Sequence, residues 1–255
     1  MKIIAVVNRR GGVGKTATAH AIGAGLAHRG YKILFVDLDS QTNLTYDLAA
    51  DQLRHRYSAI DLLTGAATAD KVIQHKAKWD LIPASAALAT ADAIITATGK
   101  EYKLKEALQP LSGLYDFCIV DTPPALNILT VNALTAAAGA IIPAQAEIHS
   151  LQGIGLLAET IEQVKRYCNK DLQIYGVVLT RYSGRAILSQ DMKANLEAVA
   201  EQLGTKVYHT PIRECISLKE AQAVQQDIFT YAPRSNAAKD YTELVEELLE
   251  DLKGE

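Results

Sequence analysis

Eight consecutive residues, Arg9-Arg10-Gly11-Gly12-Val13-Gly14-Lys15-Thr16, combine the groups needed to hold a phosphate. Three glycines let the backbone curl tightly, so that successive N–H groups point inward at phosphate oxygens. Lys15 opens a helical stretch whose N-terminal dipole adds to the attraction. In this pattern the lysine supplies a point charge to the β- and γ-phosphates, and the Thr16 hydroxyl is placed to ligate Mg²⁺. The expected nucleotide-binding stretch runs from Arg10 through Gly11, Gly12, Val13, Gly14, Lys15 and Thr16 to Ala17.

Carboxylates stand where such a loop needs them. Asp37 and Asp39 close an apolar run in Phe35-Val36-Asp37-Leu38-Asp39-Ser40-Gln41. Alternation along a strand points both to one side, and the carboxyl ends of strands are where ligands sit in open α/β sheets. The alternative is that they are plain helix caps or turn acids. Asp121 follows Phe117-Cys118-Ile119-Val120 and precedes Thr122-Pro123-Pro124. A carboxylate after a hydrophobic strand suits a magnesium position that acts through water.

Alternating elements must carry these residues. Apolar runs at Lys2–Asn8, Lys32–Asp37, Asp80–Pro83, Asp116–Asp121, Ala140–Pro143, Ile174–Leu179 and Lys206–His209 read as strands. Helical stretches are expected at Lys15–Arg29, Ala86–Thr98, Ile128–Ala138, Leu151–Tyr167, Ser189–Leu203, Ile216–Gln225 and Ala237–Leu252. Continuous apolar strands alternating with helices predict an α/β fold, a mainly parallel sheet with helices on both faces. No repeat or linker divides the 255 residues, so one domain over 1–255 is expected.

Composition narrows the setting. With 49% hydrophobic and 22% charged residues a sizeable core is available. The net charge of −3 excludes a generally basic nucleic-acid coat, but the deficit is local. Lys239 to Glu255 carries net −5, leaving about +2 elsewhere and room for a basic face. Three dispersed cysteines, Cys118, Cys168 and Cys215, form neither a disulfide framework nor a metal knuckle, which points to a reducing, cytoplasmic compartment. Thr122 to Ala146 carries no formal charge, yet its prolines and polar residues break it into loop, helix and strand rather than a membrane span.

The glycine spacing departs from G-x-x-x-x-G-K-S/T and resembles the deviant loop, Lys-Gly-Gly-x-Gly-Lys-Ser/Thr, of the ParA/MinD family of dimerising ATPases. Asp37 to Gln41 is similar to that family's Asp-x-Asp-Pro-Gln switch, with Ser40 replacing proline, and Asp121-Thr122-Pro123-Pro124 to its second switch. Gly176 to Tyr182, Ile212-Arg213-Glu214, Leu218 to Ala221 and Tyr231 to Ser235 extend the likeness to ParA-type partition ATPases over nearly the whole chain.

The resemblance implies a slow ATPase using ATP and Mg²⁺, with Asp39 orienting the attacking water and Asp37 supporting the magnesium shell beside Thr16 and Asp121. It implies an ATP-sandwich homodimer in which the family's first lysine reaches the partner's phosphates. Arg10 holds that position here, keeping the charge in a planar fork. The alternative is a pair of solvated loop arginines. Pro211, Ile212 and Arg213 are expected near the adenine. Arg181, Arg185, Lys193, Arg213, Lys219 and Arg234 are candidates for a non-specific DNA face, each otherwise an ordinary solvated charge. The implied partners are DNA and a ParB-like centromere-binding protein, with the dimer on the nucleoid in the cytoplasm. An acidic end, Glu246 to Leu252, argues against the basic membrane helix of MinD-like relatives. Unpaired cysteines argue against an iron–sulfur carrier. No sequence-reading DNA domain is expected before the loop. The second reading is a nucleotide-dependent adaptor that places a protein cargo with little turnover.

Overall fold

The computed structural model describes residues 1–50, 56–183 and 187–253, with the side chains of 148–152 and 187–193 outside the description. Eight strands form one sheet: β1 (Lys2–Val6), β2 (Ile33–Asp37), β3 (Gln74–His75), β4 (Asp80–Ile82), β5 (Phe117–Asp121), β6 (Gly139–Ala144), β7 (Gln173–Tyr182) and β8 (Ile212–Arg213). Their order is β3-β4-β2-β5-β1-β6-β7-β8, and every neighbouring pair is parallel except β3 with β4. The predicted α/β architecture is the observed one.

Seven helices matter to the site: α1 (Lys15–Ala27), α2 (Asn43–Asp47), α3 (Ile128–Ala136), α4 (Ile148–Tyr167), α5 (Ile187–Gln202), α6 (Ile216–Ala223) and α7 (Asn236–Lys253). The period-two alternation of β2 shows why two layers of helix are needed. Leu34 and Val36 enter one core with Leu129, Ala133, Ile154, Leu157, Leu196 and Ala200, under α3, α4 and α5. Ile33 and Phe35 enter the other with Ile22, Leu26, Tyr241, Leu244 and Leu248, under α1 and α7. Gly23 lets α1 settle on β2, because a Cβ there would stand 2.2 Å from Phe35 Cζ.

Two expected elements differ. The run Lys206–His209 contributes a single bridge, Val207 to Val177, and the eighth strand begins later, at Ile212. The ladder stops because Glu247 takes the next two donors: His209 N and Thr210 N each lie 2.9 Å from its carboxylate oxygens. The helix expected over Ala86–Thr98 is a 3₁₀ turn at Ala86–Thr90 and one α turn at Ala91–Ile94. Ile94-Ile95-Thr96 is a run of β-branched residues, and Ile95 leaves the helical region (ψ 82°) with its side chain buried.

Registry places the chemistry. Val6 pairs with Asp121 and Asp121 with Asp37, so three adjacent parallel strands end together. The phosphate loop, Asp121 and Asp37 leave the three adjacent strands β1, β5 and β2 at one carboxyl-terminal edge, beside the boundary between β5 and β1, from which connections depart in opposite directions.

Candidate nucleotide site

The loop after β1 is shaped by glycine and held by neighbouring strands. Gly12 (φ 75°) and Gly14 (φ 85°) are left-handed, and Gly14 is the N-cap of α1. Asn8 fixes the entrance: its Nδ2 donates to Pro143 O at 2.7 Å, and its Oδ1 accepts from Arg10 N at 2.9 Å. Gln145 Nε2 donates to Gly12 O at 3.1 Å, and Thr180 Oγ1 to Val13 O at 2.8 Å. The Thr122-Pro123-Pro124 turn lies alongside, 3.9 Å from where a Cβ on Gly11 would stand. Loop carbonyls are thereby turned toward the protein.

Lys15 is buried and its Nζ donates to Arg10 O at 3.0 Å. Burial pushes its ammonium down, while Asp121 and then Asp39 pull it back up. Asp121 is fully buried and neither carboxylate oxygen has a hydrogen-bond partner. Burial, then the Asp37 charge, hold the Asp121 carboxyl well above the usual carboxylate range, with Thr16 and Lys15 working the other way. A buried carboxylate without donors is costly unless something arrives to meet it. Hydroxyl and carboxylate oxygens are hard donors of the kind Mg²⁺ takes. Among the described residues no group of three or more His, Cys, Asp and Glu could hold a metal, so a cation here would complete its shell with phosphates and waters.

The two aspartates at and just beyond the end of β2 divide their work. Asp37 is fully buried and occupied: Oδ1 accepts from Asp39 N at 3.0 Å, and Oδ2 from Thr45 N at 2.8 Å and Thr45 Oγ1 at 2.7 Å. Burial nonetheless raises its carboxyl to about 6. Asp39 Oδ1 accepts only the local Gln41 N, at 3.0 Å. Asp37 therefore anchors α2, while the Asp39 charge is felt by Lys15 of the loop.

Arg10 is ion-paired to Glu147, the residue before α4, with the two side chains 29% and 50% exposed. A candidate base-side cavity of about 130 Å³, beside the glycine loop, is lined by Gly14, Ala17, Ile212, Arg213, Cys215, Leu218 and Gln222, among others. Ile212 and Arg213, two of the residues expected near the adenine, line this cavity, and Pro211 stays outside the lining. Arg181, Arg213 and Lys219 gather at this cavity rather than on a separate face. The Arg213 guanidinium is committed to Asp240, through Nε at 3.0 Å and Nη2 at 2.5 Å. Arg181 is an exposed non-glycine residue with φ 50°, and Arg234 is exposed elsewhere. Arg185 and the Lys193 side chain lie outside the described residues. A larger cavity, about 570 Å³, is lined by Leu62, Leu63, Ala107 and Leu111 and includes none of the candidate residues. Asn8, Thr45, Gln145 and Thr180 were invisible in the sequence because their contacts span 8 to 167 positions. No described helix is long and apolar enough to cross a membrane.

Known proteins share this arrangement. The family described as AAA domain matches residues 1–174. Sporulation initiation inhibitor protein Soj of Bacillus subtilis is 38% identical over 250 residues, spanning 97% of this chain and 98% of that protein. Chromosome partitioning protein ParA of Caulobacter vibrioides is 34% identical over 254 residues, covering 98% and 94%. The crystal structure of cobyrinic acid a,c-diamide synthase from Mycobacterium smegmatis with bound ADP and magnesium superposes with a TM-score of 0.86 at 34% identity, covering 99% of this chain and 96% of that one. With a deviant glycine loop and in-register strand-end aspartates on a mostly parallel sheet, this chain belongs to the ParA/Soj/MinD family of partition ATPases.

Proposed function

We propose that residues 1–255 form one ATPase domain that positions DNA, binding it without sequence preference as an ATP-sandwich dimer and releasing it on hydrolysis. The observation that carries this reading is the unpartnered, buried Asp121 facing Lys15 at the mouth of a left-handed glycine loop. Lys15 and the loop amides bind the β- and γ-phosphates. Thr16 and Asp121 hold the metal's shell, and Mg²⁺, when bound, neutralises phosphate charge. Asp39 orients the attacking water and accepts its proton. Asp37, already spent on Thr45 and the Asp39 amide, supports the shell from behind by fixing Asp39. The family and the ADP- and magnesium-bound neighbour support ATP and Mg²⁺ as the ligands. The Soj and ParA relatives support a cytoplasmic, nucleoid-bound partner of DNA and of a ParB-like protein that stimulates slow turnover.

Arg10 acts in trans on this reading. Its surface pair with Glu147 is worth about 0–1 kcal/mol, so the partner's phosphates can displace it. A phosphate-directed arginine in trans is worth roughly a thousandfold in rate or more. The experiment is sedimentation with ATP, paired with turnover, for wild type, Arg10→Ala and Arg10→Lys. Arg10→Ala should bind nucleotide yet stay monomeric and nearly inactive, and Arg10→Lys should keep substantial activity. Normal dimerisation and hydrolysis by Arg10→Ala would overturn the trans role.

A further inference from the structure

The short helix α2 lies between the hydrolytic carboxylate and the base-side cavity, and it is tied to both. Five residues cannot hold a helix on local hydrogen bonds alone. Its sheet side is fixed by Asp37, which takes both donors of Thr45. Its far side is fixed by two glutamines near the end of α6. Gln222 Nε2 donates to Asp47 Oδ2 at 2.7 Å, and Gln225 Nε2 donates to Tyr46 O at 3.0 Å. Asp47 is buried, so that bond is screened from water and strong.

We propose that Gln222 and Gln225 are positioning residues for ATP hydrolysis: they clamp α2, and α2 sets the loop that carries Asp39, so that the wall of the base cavity and the water-orienting carboxylate move as one unit. The connection is short and continuous. Thr42, the N-cap of α2, donates its N–H to Asp39 O at 2.9 Å. Thr42 (φ 58°) and Gln225 (φ 55°) are both left-handed without being glycine, a strained state that persists only where surrounding contacts over-determine it. Gln222 also lines the base-side cavity, together with Leu218 and Cys215 of the same segment. A base held there packs against the residue that holds α2, and Asp39 is oriented when that residue is fixed.

This inference rests on the ATPase reading, and its test separates the two. Wild type, Gln222→Leu, Gln222→Glu and Gln222→Glu with Asp47→Asn are compared for ADP affinity, ATP turnover and hydrogen exchange of the nucleotide-free amides from 41 to 47. Gln222→Leu removes the donor at similar volume, and Gln222→Glu sets two carboxylates face to face. The double variant restores the bond with donor and acceptor exchanged. The expected result is kcat about tenfold lower in both single variants, with ADP affinity within about twofold of wild type. Amides 41–47 should exchange faster in both, and the double variant should recover turnover and protection together. Wild-type turnover and exchange in the single variants would overturn the clamp, as would a double variant no better than Gln222→Glu. Loss of ADP affinity in step with turnover would make Gln222 a base contact rather than a positioning residue. A wild type that neither binds ADP nor hydrolyses ATP would instead overturn the ATPase reading, while the exchange comparison would still decide the clamp.

Discussion

Replacing Asp47 by asparagine should stabilise the protein, and only above a definable pH. Burial raises the Asp47 carboxyl from 3.8 to about 6, against the opposing hydrogen bond from Gln222. The folded pKa is raised, so the group's contribution to stability is present below about pH 4 and is lost as pH rises through 6. The difference of about two pKa units, at about 1.4 kcal/mol each, sets a ceiling near 3 kcal/mol above pH 6. Asparagine keeps an acceptor for Gln222 Nε2 but cannot ionise, so it escapes this loss. Its new N–H groups need partners, which returns about 1 kcal/mol. The Asp47→Asn protein should therefore be about 2 kcal/mol more stable than wild type at pH 8, with the gain gone near pH 4. The assay is urea unfolding at both pH values, followed by the fluorescence of Trp79, the only tryptophan, which packs edge-on against His20 and Phe35. A stability difference of the same size at both pH values, or a less stable variant at pH 8, would refute the argument that Asp47 is a desolvated charge.

The remaining predictions follow the same physics. Lys15→Ala should weaken ADP binding about a hundredfold in titration calorimetry, because the only side-chain charge on the phosphates is gone, and near-wild-type affinity would remove the phosphate-loop assignment. His20, buried with Nε2 unpartnered and edge-on to Phe35 and Trp79, is lowered from 6.5 to about 4 by burial, with Asp227 opposing. A depressed pKa means stability that is present above pH 6.5 and lost as pH falls through 4, by up to about 3 kcal/mol. His20→Phe should flatten that part of the acid-unfolding curve, and an unchanged curve would place the proton elsewhere.

Much of the site was legible because its parts are local. Gly11 to Thr16 announce a phosphate loop by spacing, and Asp37, Asp39 and Asp121 announce themselves by ending apolar runs that can only be buried strands. The registry of Asp37 with Asp121 then follows from parallel pairing. What sequence does not carry is the identity of long-range partners. Nothing near Thr45 reveals that it will occupy both donors on Asp37, and nothing near Arg10 reveals Glu147, 137 positions away. One local signal was there to be read. Ser58-Ala59-Ile60-Asp61 is a capping box, closed by Gly65 at φ 75°, and it starts a helix at Ala59–Thr64 that periodicity alone did not reveal in so short a segment. The run at 206–209 misled for the opposite reason. Its β-propensity is genuine, but a carboxylate on α7 captured the amides that a strand requires.

The central claim is an ATP-driven switch on DNA, and DNA retention measures it most directly. Wild-type protein is assayed on unrelated duplexes with ATP, with ADP and without nucleotide, at rising salt, beside Asp39→Ala. The account predicts retention with ATP only, falling steeply with salt as phosphate contacts release counterions, indifferent to sequence and prolonged in Asp39→Ala, which binds ATP but hydrolyses it slowly. Equal retention in all three nucleotide states would contradict the switch, and no retention in any state would favour an adaptor for a protein cargo.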